Sequence, residues 1–248
     1  MNTQPAFRPL VVIPVYNHEH AITAMVDGVR AVGQPCLLVD DGSQPSCAAV
    51  LRQLAQREGV LLLRLEVNQG KGGAMLAGFA EAARWGASHV LQIDADGQHE
   101  TADIPRFLAA AAAAPEAVIN GAPIYDASVP KGRLYGRYLT HVWVWINTLS
   151  FAVRDSMCGF RVYPLAAVQA LLRSERPGLR MDFDPEILVR LCWRGVAVRN
   201  LSTPVHYPSD GVSHFDVLRD NLRISRMHAR LFFGMLYRLP RLLLRKLR

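Results

Sequence analysis

The alternation of short apolar runs with helix-length segments constrains this chain more than any other feature. Runs at residues 9–15, 36–39, 60–65, 88–93 and 117–120 are rich in valine, leucine and isoleucine, and segments with helical spacing at 20–32, 44–58, 74–85 and 101–114 separate them. Runs of this length, bounded by polar residues, read as buried strands. Strands each divided by a helix cannot close as hairpins, so they line up in parallel through β-α-β crossovers. A further strand is expected near residues 196–205. The prediction is an α/β fold whose mostly parallel sheet is flanked by helices.

Sheets of this kind bind ligands outside the carboxyl ends of their strands. Polar clusters follow four of the runs at that edge: Tyr16 and Asn17, Asp40 and Asp41, residues 68–73, and Asp94-Ala95-Asp96. Two carboxylates one residue apart at a buried strand end repel each other and raise their own pKa values. A divalent cation relieves this, and hard oxygen ligands suit Mg²⁺ or Mn²⁺, which also bind substrate phosphates. Asp94 and Asp96 are therefore candidate metal ligands, with the side-chain carbonyl of Gln98 a candidate third. The plainer reading is Asp-Gly turn chemistry at a strand end. The other clusters suit a nucleoside diphosphate. Asp40 or Asp41 can accept from a ribose hydroxyl or a base N–H, Gly70, Gly72 and Gly73 let backbone come close, and Lys71 supplies positive charge. Neither G-x-x-x-x-G-K-[ST] nor a G-x-G-x-x-G after the first run is present, which weighs against a P-loop NTPase and a dehydrogenase.

Five elements in order, Pro14-Val15-Tyr16-Asn17, Asp40-Asp41-Gly42-Ser43, Asn68-x-Gly70-Lys71-Gly72-x-Ala74, Asp94-Ala95-Asp96-Gly97-Gln98-His99 and Cys158-Gly159-Phe160-Arg161, resemble the family 2 glycosyltransferases of GT-A fold. Within them the chain looks most like the dolichol-phosphate or polyprenyl-phosphate sugar transferases. The resemblance implies a Rossmann-like GT-A domain over residues 1–215, its nucleotide-sugar half at 1–125 and its acceptor half at 126–215. It implies inverting, metal-dependent transfer of a sugar from a UDP- or GDP-linked donor to a membrane-associated acceptor, a polyprenyl phosphate or other lipid. Pro14, Tyr16, Asn17, Asp40, Asp41, Lys71 and Asp94 would bind the donor. Asp94, Asp96 and Gln98 would hold Mg²⁺ or Mn²⁺ on its diphosphate, with Asp96 counted as catalytic. Where the family has Glu directly after Tyr-Asn, this chain has His18, and Glu19 comes one later.

A lipid-phosphate acceptor is already an anion and needs no base, whereas a hydroxyl on a glycan or lipid needs a carboxylate to take its proton. Asp184 and Glu186 are the candidates, although Asp184 before Pro185 also reads as a helix N-cap. A protein that binds nucleotide sugars without turnover is the remaining alternative. Arg133, Arg137 and Arg161 are candidate acceptor contacts. Residues 134–149 form an apolar, aromatic-rich helix that reads either as interfacial or as core. Residues 207–215, flanked by His206 and including His214, are placed like the family's loop that closes over the donor.

Charge separates the end of the chain from the rest. From Arg219 onward nine basic residues stand against Asp220 alone, a net +8, and since the chain totals +7 the first 218 residues carry −1. A neutral body argues against nucleic acid as a partner and for an anionic membrane surface met by a basic amphipathic tail at 216–248. Arg219, Arg223, Arg226 and Arg230 form one helical stripe, and Ile224, Met227, Leu231 and Met235 another. Cys36, Cys47, Cys158 and Cys192 include no C-x-x-C pair and read as reduced thiols. No secretory signal opens the sequence. The expected location is cytoplasmic, peripheral on the cytoplasmic face of the membrane.

Overall fold

The computed structural model describes residues 6–125, 131–206 and 216–246. The first half follows the expected alternation: β1 (Pro9–Val15), α1 (Ile22–Ala31), β2 (Cys36–Asp40), α2 (Pro45–Leu54), β3 (Val60–Arg64), α3 (Lys71–Arg84), β4 (His89–Gln92), α4 (Ile104–Ala113) and β5 (Val118–Tyr125). The second half adds α5 (Lys131–Thr148), β6 (Arg161–Pro164), α6 (Leu165–Leu172), α7 (Phe183–Trp193), β7 (Val198–Val205) and α8 (Val217–Lys246). The seven strands form one sheet in the order β3-β2-β1-β4-β6-β5-β7. All neighbours are parallel except β6, which runs antiparallel to both β4 and β5. The alternation does not anticipate β6, because it is short and begins with an arginine.

Strand periodicity divides the core. Leu10 and Val12 face one apolar layer with α3, α6, α7 and α8, while Val11, Ile13 and Val15 face the other with α1, α2 and α4. The long α8 is built into the first layer. Its stripe Ile224, Met227, Leu231, Met235 and Leu242 is buried against the body, so the residues that the sequence offers to lipid are already covered by protein. A second apolar stripe on α8 remains outside: Leu218, Leu222, Phe233, Leu236 and Leu243 are exposed, at spacings of three, four, seven and eleven that keep them on one face. Among the described residues no helix is long and apolar enough to cross a membrane.

Local starts differ from the sequence reading in two informative places. The expected loop over 68–73 is shorter, because Gly70 at φ +89° turns the chain and α3 begins at Lys71. Lys71 thus stands on a helix, at a fixed position, rather than on a loose loop. The N-cap of α7 is Asp182, not Asp184, and Pro185 lies within the first turn. Asp184 is therefore released from the capping role and enters the interior.

Candidate active site

Past the end of β4, Asp94 joins Asp184 of α7 on one lysine, with Asp96 two residues further on. Lys71 Nζ lies 2.8 Å from both Asp94 oxygens and 2.6 Å from Asp184 Oδ2. Only Asp94 Oδ2 meets it in hydrogen-bond geometry; Oδ1 is buried and has no hydrogen-bond partner. Asp96, two residues on, folds back so that Oδ1 accepts the Gln98 amide at 3.0 Å, with Gly97 at φ +73°. The space for Asp94 is provided by Gly159: a Cβ there would fall 1.9 Å from Asp94 Oδ2.

Burial and charge act in opposite directions on these groups. Burial opposes ionisation of Asp94, but Lys71 and then His99 outweigh it and hold the carboxyl below its usual range. Asp96 is pushed up, first by burial and then by the charge of Asp94. Burial disfavours the Lys71 cation, but Asp184 and Asp94 overcome it, so Lys71 stays charged. A carboxylate pair in which one buried oxygen, Asp94 Oδ1, has an ion-pair neighbour but no hydrogen bond fits a hard divalent cation. Among the described residues no third Asp, Glu, His or Cys joins the pair, so such an ion would complete its shell with water and ligand oxygens, as Mg²⁺ and Mn²⁺ do. The backbone of Gln98 is used locally, by Asp96 and by the His206 amide at 3.1 Å.

Behind the lysine runs a buried polar relay. Gln92 Nε2 donates to Asp184 Oδ1 at 3.0 Å, the Tyr163 hydroxyl donates to Gln92 Oε1 at 3.2 Å, and Arg161 Nη1 donates to Tyr163 at 2.9 Å. Arg161 is wholly buried. It also donates to Asn120 Oδ1 at 2.8 Å and to the carbonyls of Asp184, Cys158 and Ser156 at 3.1, 3.2 and 3.3 Å. This corrects the expectation that Arg161 contacts the acceptor: its donors are taken by the scaffold. Glu186, offered as a base, is likewise withdrawn. It is fully buried and ion-paired with Arg190 and Arg230. Asp184 does sit in the site, but both of its oxygens are engaged.

The residues that the sequence offers for a donor lie at neighbouring strand ends, where they hold one another in place. Asn17, at φ +53°, clasps the next loop: its amide donates to Ser43 Oγ at 3.1 Å and its Oδ1 accepts the Gln44 amide at 2.8 Å. Asp40 accepts from Arg64 and from the Ser43 amide at 2.8 Å. Asp41 accepts from Asn68 Nδ2, Gln69 N and Gly70 N at 2.9, 2.7 and 2.8 Å. Burial raises the Asp41 carboxyl in spite of these donors. Both aspartates organise the loops, and their free lone pairs are few. Pro14 and Tyr16 lie at the same strand end, each partly buried.

In the second half of the chain Arg137 forks onto Asp155, Nε to Oδ2 at 2.8 Å and Nη2 to Oδ1 at 3.2 Å, and His141 Nε2 lies 3.2 Å from Oδ2. Burial opposes the Asp155 charge, but Arg137 holds its carboxyl far below the usual range. Tyr125, Tyr135, Arg137, Tyr138 and His141 line a groove there. Arg133 lies in α5, but its side chain, like residues 207–215 with His214, falls outside the described residues. The sequence assigned no individual role to Gln92, to Tyr163 or to Gly159, although Gly159 stands in the family-like element at 158–161. A glutamine inside an apolar strand was the available signal for the first; the glycine's role is visible only once β4 and the 158–161 segment are side by side.

Known proteins resemble this chain over most of its length. The family model described as Glycosyl transferase family 2 matches residues 10–173. A dolichyl-phosphate beta-glucosyltransferase of Drosophila melanogaster is 27% identical over 80% of this chain and 68% of its own length. An undecaprenyl-phosphate 4-deoxy-4-formamido-L-arabinose transferase of Pseudomonas paraeruginosa is 32% identical over 65% of this chain, which spans 48% of that relative. Among solved structures, glucosyl-3-phosphoglycerate synthase of Mycobacterium tuberculosis, in complex with Mn²⁺, UDP and phosphoglyceric acid, superposes with a TM-score of 0.68 over 93% of this chain and 78% of that one, at 14% identity. The likeness is one of fold, and the fold is the expected GT-A arrangement.

Proposed function

The chain belongs to glycosyl transferase family 2, and from that premise we propose that it moves a sugar, with inversion, from a nucleotide-sugar donor to a polyprenyl phosphate at a membrane surface. The observation that carries the choice of acceptor is the state of the two candidate bases. Glu186 is closed off, and Asp184 is spent on Lys71 and Gln92. An acceptor that must lose a proton finds no waiting base in either; a phosphate monoester brings its own negative charge. The similarity to dolichyl- and undecaprenyl-phosphate transferases supports the same reading.

Asp94 and Asp96 would hold Mg²⁺ or Mn²⁺, which when bound stabilises the departing nucleoside diphosphate. Lys71, fixed on the first turn of α3, keeps Asp94 ionised and oriented. Asn17, Asp41 and residues 68–73 shape the pocket for a UDP- or GDP-linked nucleoside. Arg137, already neutralising Asp155, lines the groove where the lipid phosphate and its first apolar carbons would lie.

The acceptor is tested by Asp184→Asn with undecaprenyl or dolichyl phosphate. Turnover should stay within about tenfold of wild type, since a lost general base costs ~10²–10⁴-fold. A fall of more than ~100-fold with donor binding intact would favour a hydroxyl acceptor.

The outer stripe of α8, bordered by Arg219, Arg223 and Arg226, would rest in the headgroup layer of an anionic membrane, making the protein peripheral. Truncation at Asp216 cannot test this, because it removes the inner stripe from the core as well. Serine at Leu222, Phe233 and Leu236 together should weaken co-sedimentation with anionic vesicles by at least about tenfold, because each exposed side chain contributes ~1 kcal/mol or more on burial. Binding by the wild type should fall as salt rises. Equal sedimentation of variant and wild type would remove α8 from the interface.

A further inference from the structure

Glu186 does no chemistry where it stands, yet its carboxylate ties three segments together. Oε2 accepts the Gly178 amide at 2.8 Å. Oε1 accepts Arg190 Nε and Nη2 at 2.9 and 2.6 Å. Arg230 Nη2, from α8, lies 2.8 Å from both oxygens. Arg190 pairs in turn with Glu175, at the start of the segment that carries Gly178. A buried carboxylate held by two guanidiniums and an amide is rigid, and loses part of its compensation if one partner goes.

The segment pinned in this way is the seat of the donor loop. A Cβ on Gly72 would fall 2.5 Å from the Gly178 carbonyl oxygen, and one on Gly70 would fall 2.2 Å from Arg180 Cδ. The Gly73 amide donates to Leu179 O at 3.0 Å. Arg180 grips the Asn68 side chain and reaches its carbonyl at 3.2 Å. Residues 68–70 hold Asp41, and Lys71 follows directly, reaching Asp94 and Asp184. An unbroken line of hydrogen bonds and close contacts therefore runs from α8 through Glu186 and Gly178 to the lysine of the site.

We propose that Glu186 and Arg230 are positioning residues for the donor, so that α8, although it lies beyond the 10–173 family match, sets the shape of the donor loop. The role assigned to that loop rests on the donor reading above. Arg230 suits the test because its side chain is 56% exposed, and its replacement leaves the apolar core closed.

Amide exchange of Gly70 and Gly73 should accelerate by about tenfold or more in Arg230→Met, while the amides of β1 and β4 keep their wild-type rates. The affinity for UDP with Mn²⁺, measured by calorimetry, should fall by about tenfold, and Arg230→Lys should recover part of both effects. Unchanged exchange at Gly70 and Gly73 overturns the proposal. So does acceleration shared equally by the whole sheet, which marks general destabilisation instead of a local link. Failure of the wild type to bind UDP or GDP with Mn²⁺ would count against the donor reading, and the exchange measurement would still decide the link between α8 and the loop.

Discussion

Asp96→Ala is expected to lose at least about three orders of magnitude in turnover, since a metal ion supplies several kcal/mol of charge stabilisation to a departing diphosphate. The variant should melt at or above the wild-type temperature. Burial and the neighbouring Asp94 charge both push the Asp96 carboxyl up, so the ionised side chain is a cost to the fold near neutral pH and its removal relieves like-charge repulsion. Activity lost together with stability would instead mark Asp96 as structural. Turnover within tenfold of wild type, or full wild-type activity in EDTA, would sink the metal assignment.

Arg161→Ala is expected to destabilise the protein by about 3–5 kcal/mol, the range reserved for breaking buried polar networks. The guanidinium is wholly buried and holds Asn120, Tyr163 and three backbone carbonyls. Its loss strands those acceptors without water, and Tyr163 and Gln92 behind them lose their orientation toward Asp184. A loss of this size is a large fraction of a typical domain's stability. Denaturant melts decide the matter. A variant that melts like the wild type but has a raised KM for acceptor would return Arg161 to the acceptor site.

Gly159→Ala joins these two effects at one position. Its Cβ would meet the Asp94 carboxylate at 1.9 Å, so Asp94 must leave either Lys71 or its place beside Asp96.

The sequence determined the parts whose cause is local. Runs of β-branched and apolar residues separated by helical spacing dictate parallel strands, and their ends dictate where Asn17, Asp41, Lys71 and Asp94 gather. The Asp-x-Asp spacing determined the candidate metal site, because two carboxylates at a strand end are neighbours whatever surrounds them. Tertiary structure decided the rest, because burial and partnership depend on segments far apart in the chain. Arg161 resembles an acceptor contact until Asn120, Tyr163 and Asp184 close around it. Glu186 resembles a base until Arg230 arrives from 44 residues away. The inner stripe of α8 has the pattern of a lipid-facing helix, and a helix's periodicity shows that a face is apolar without showing what covers it. In this fold α5 and α7 cover it, and a second stripe, less regular in sequence, is left outside.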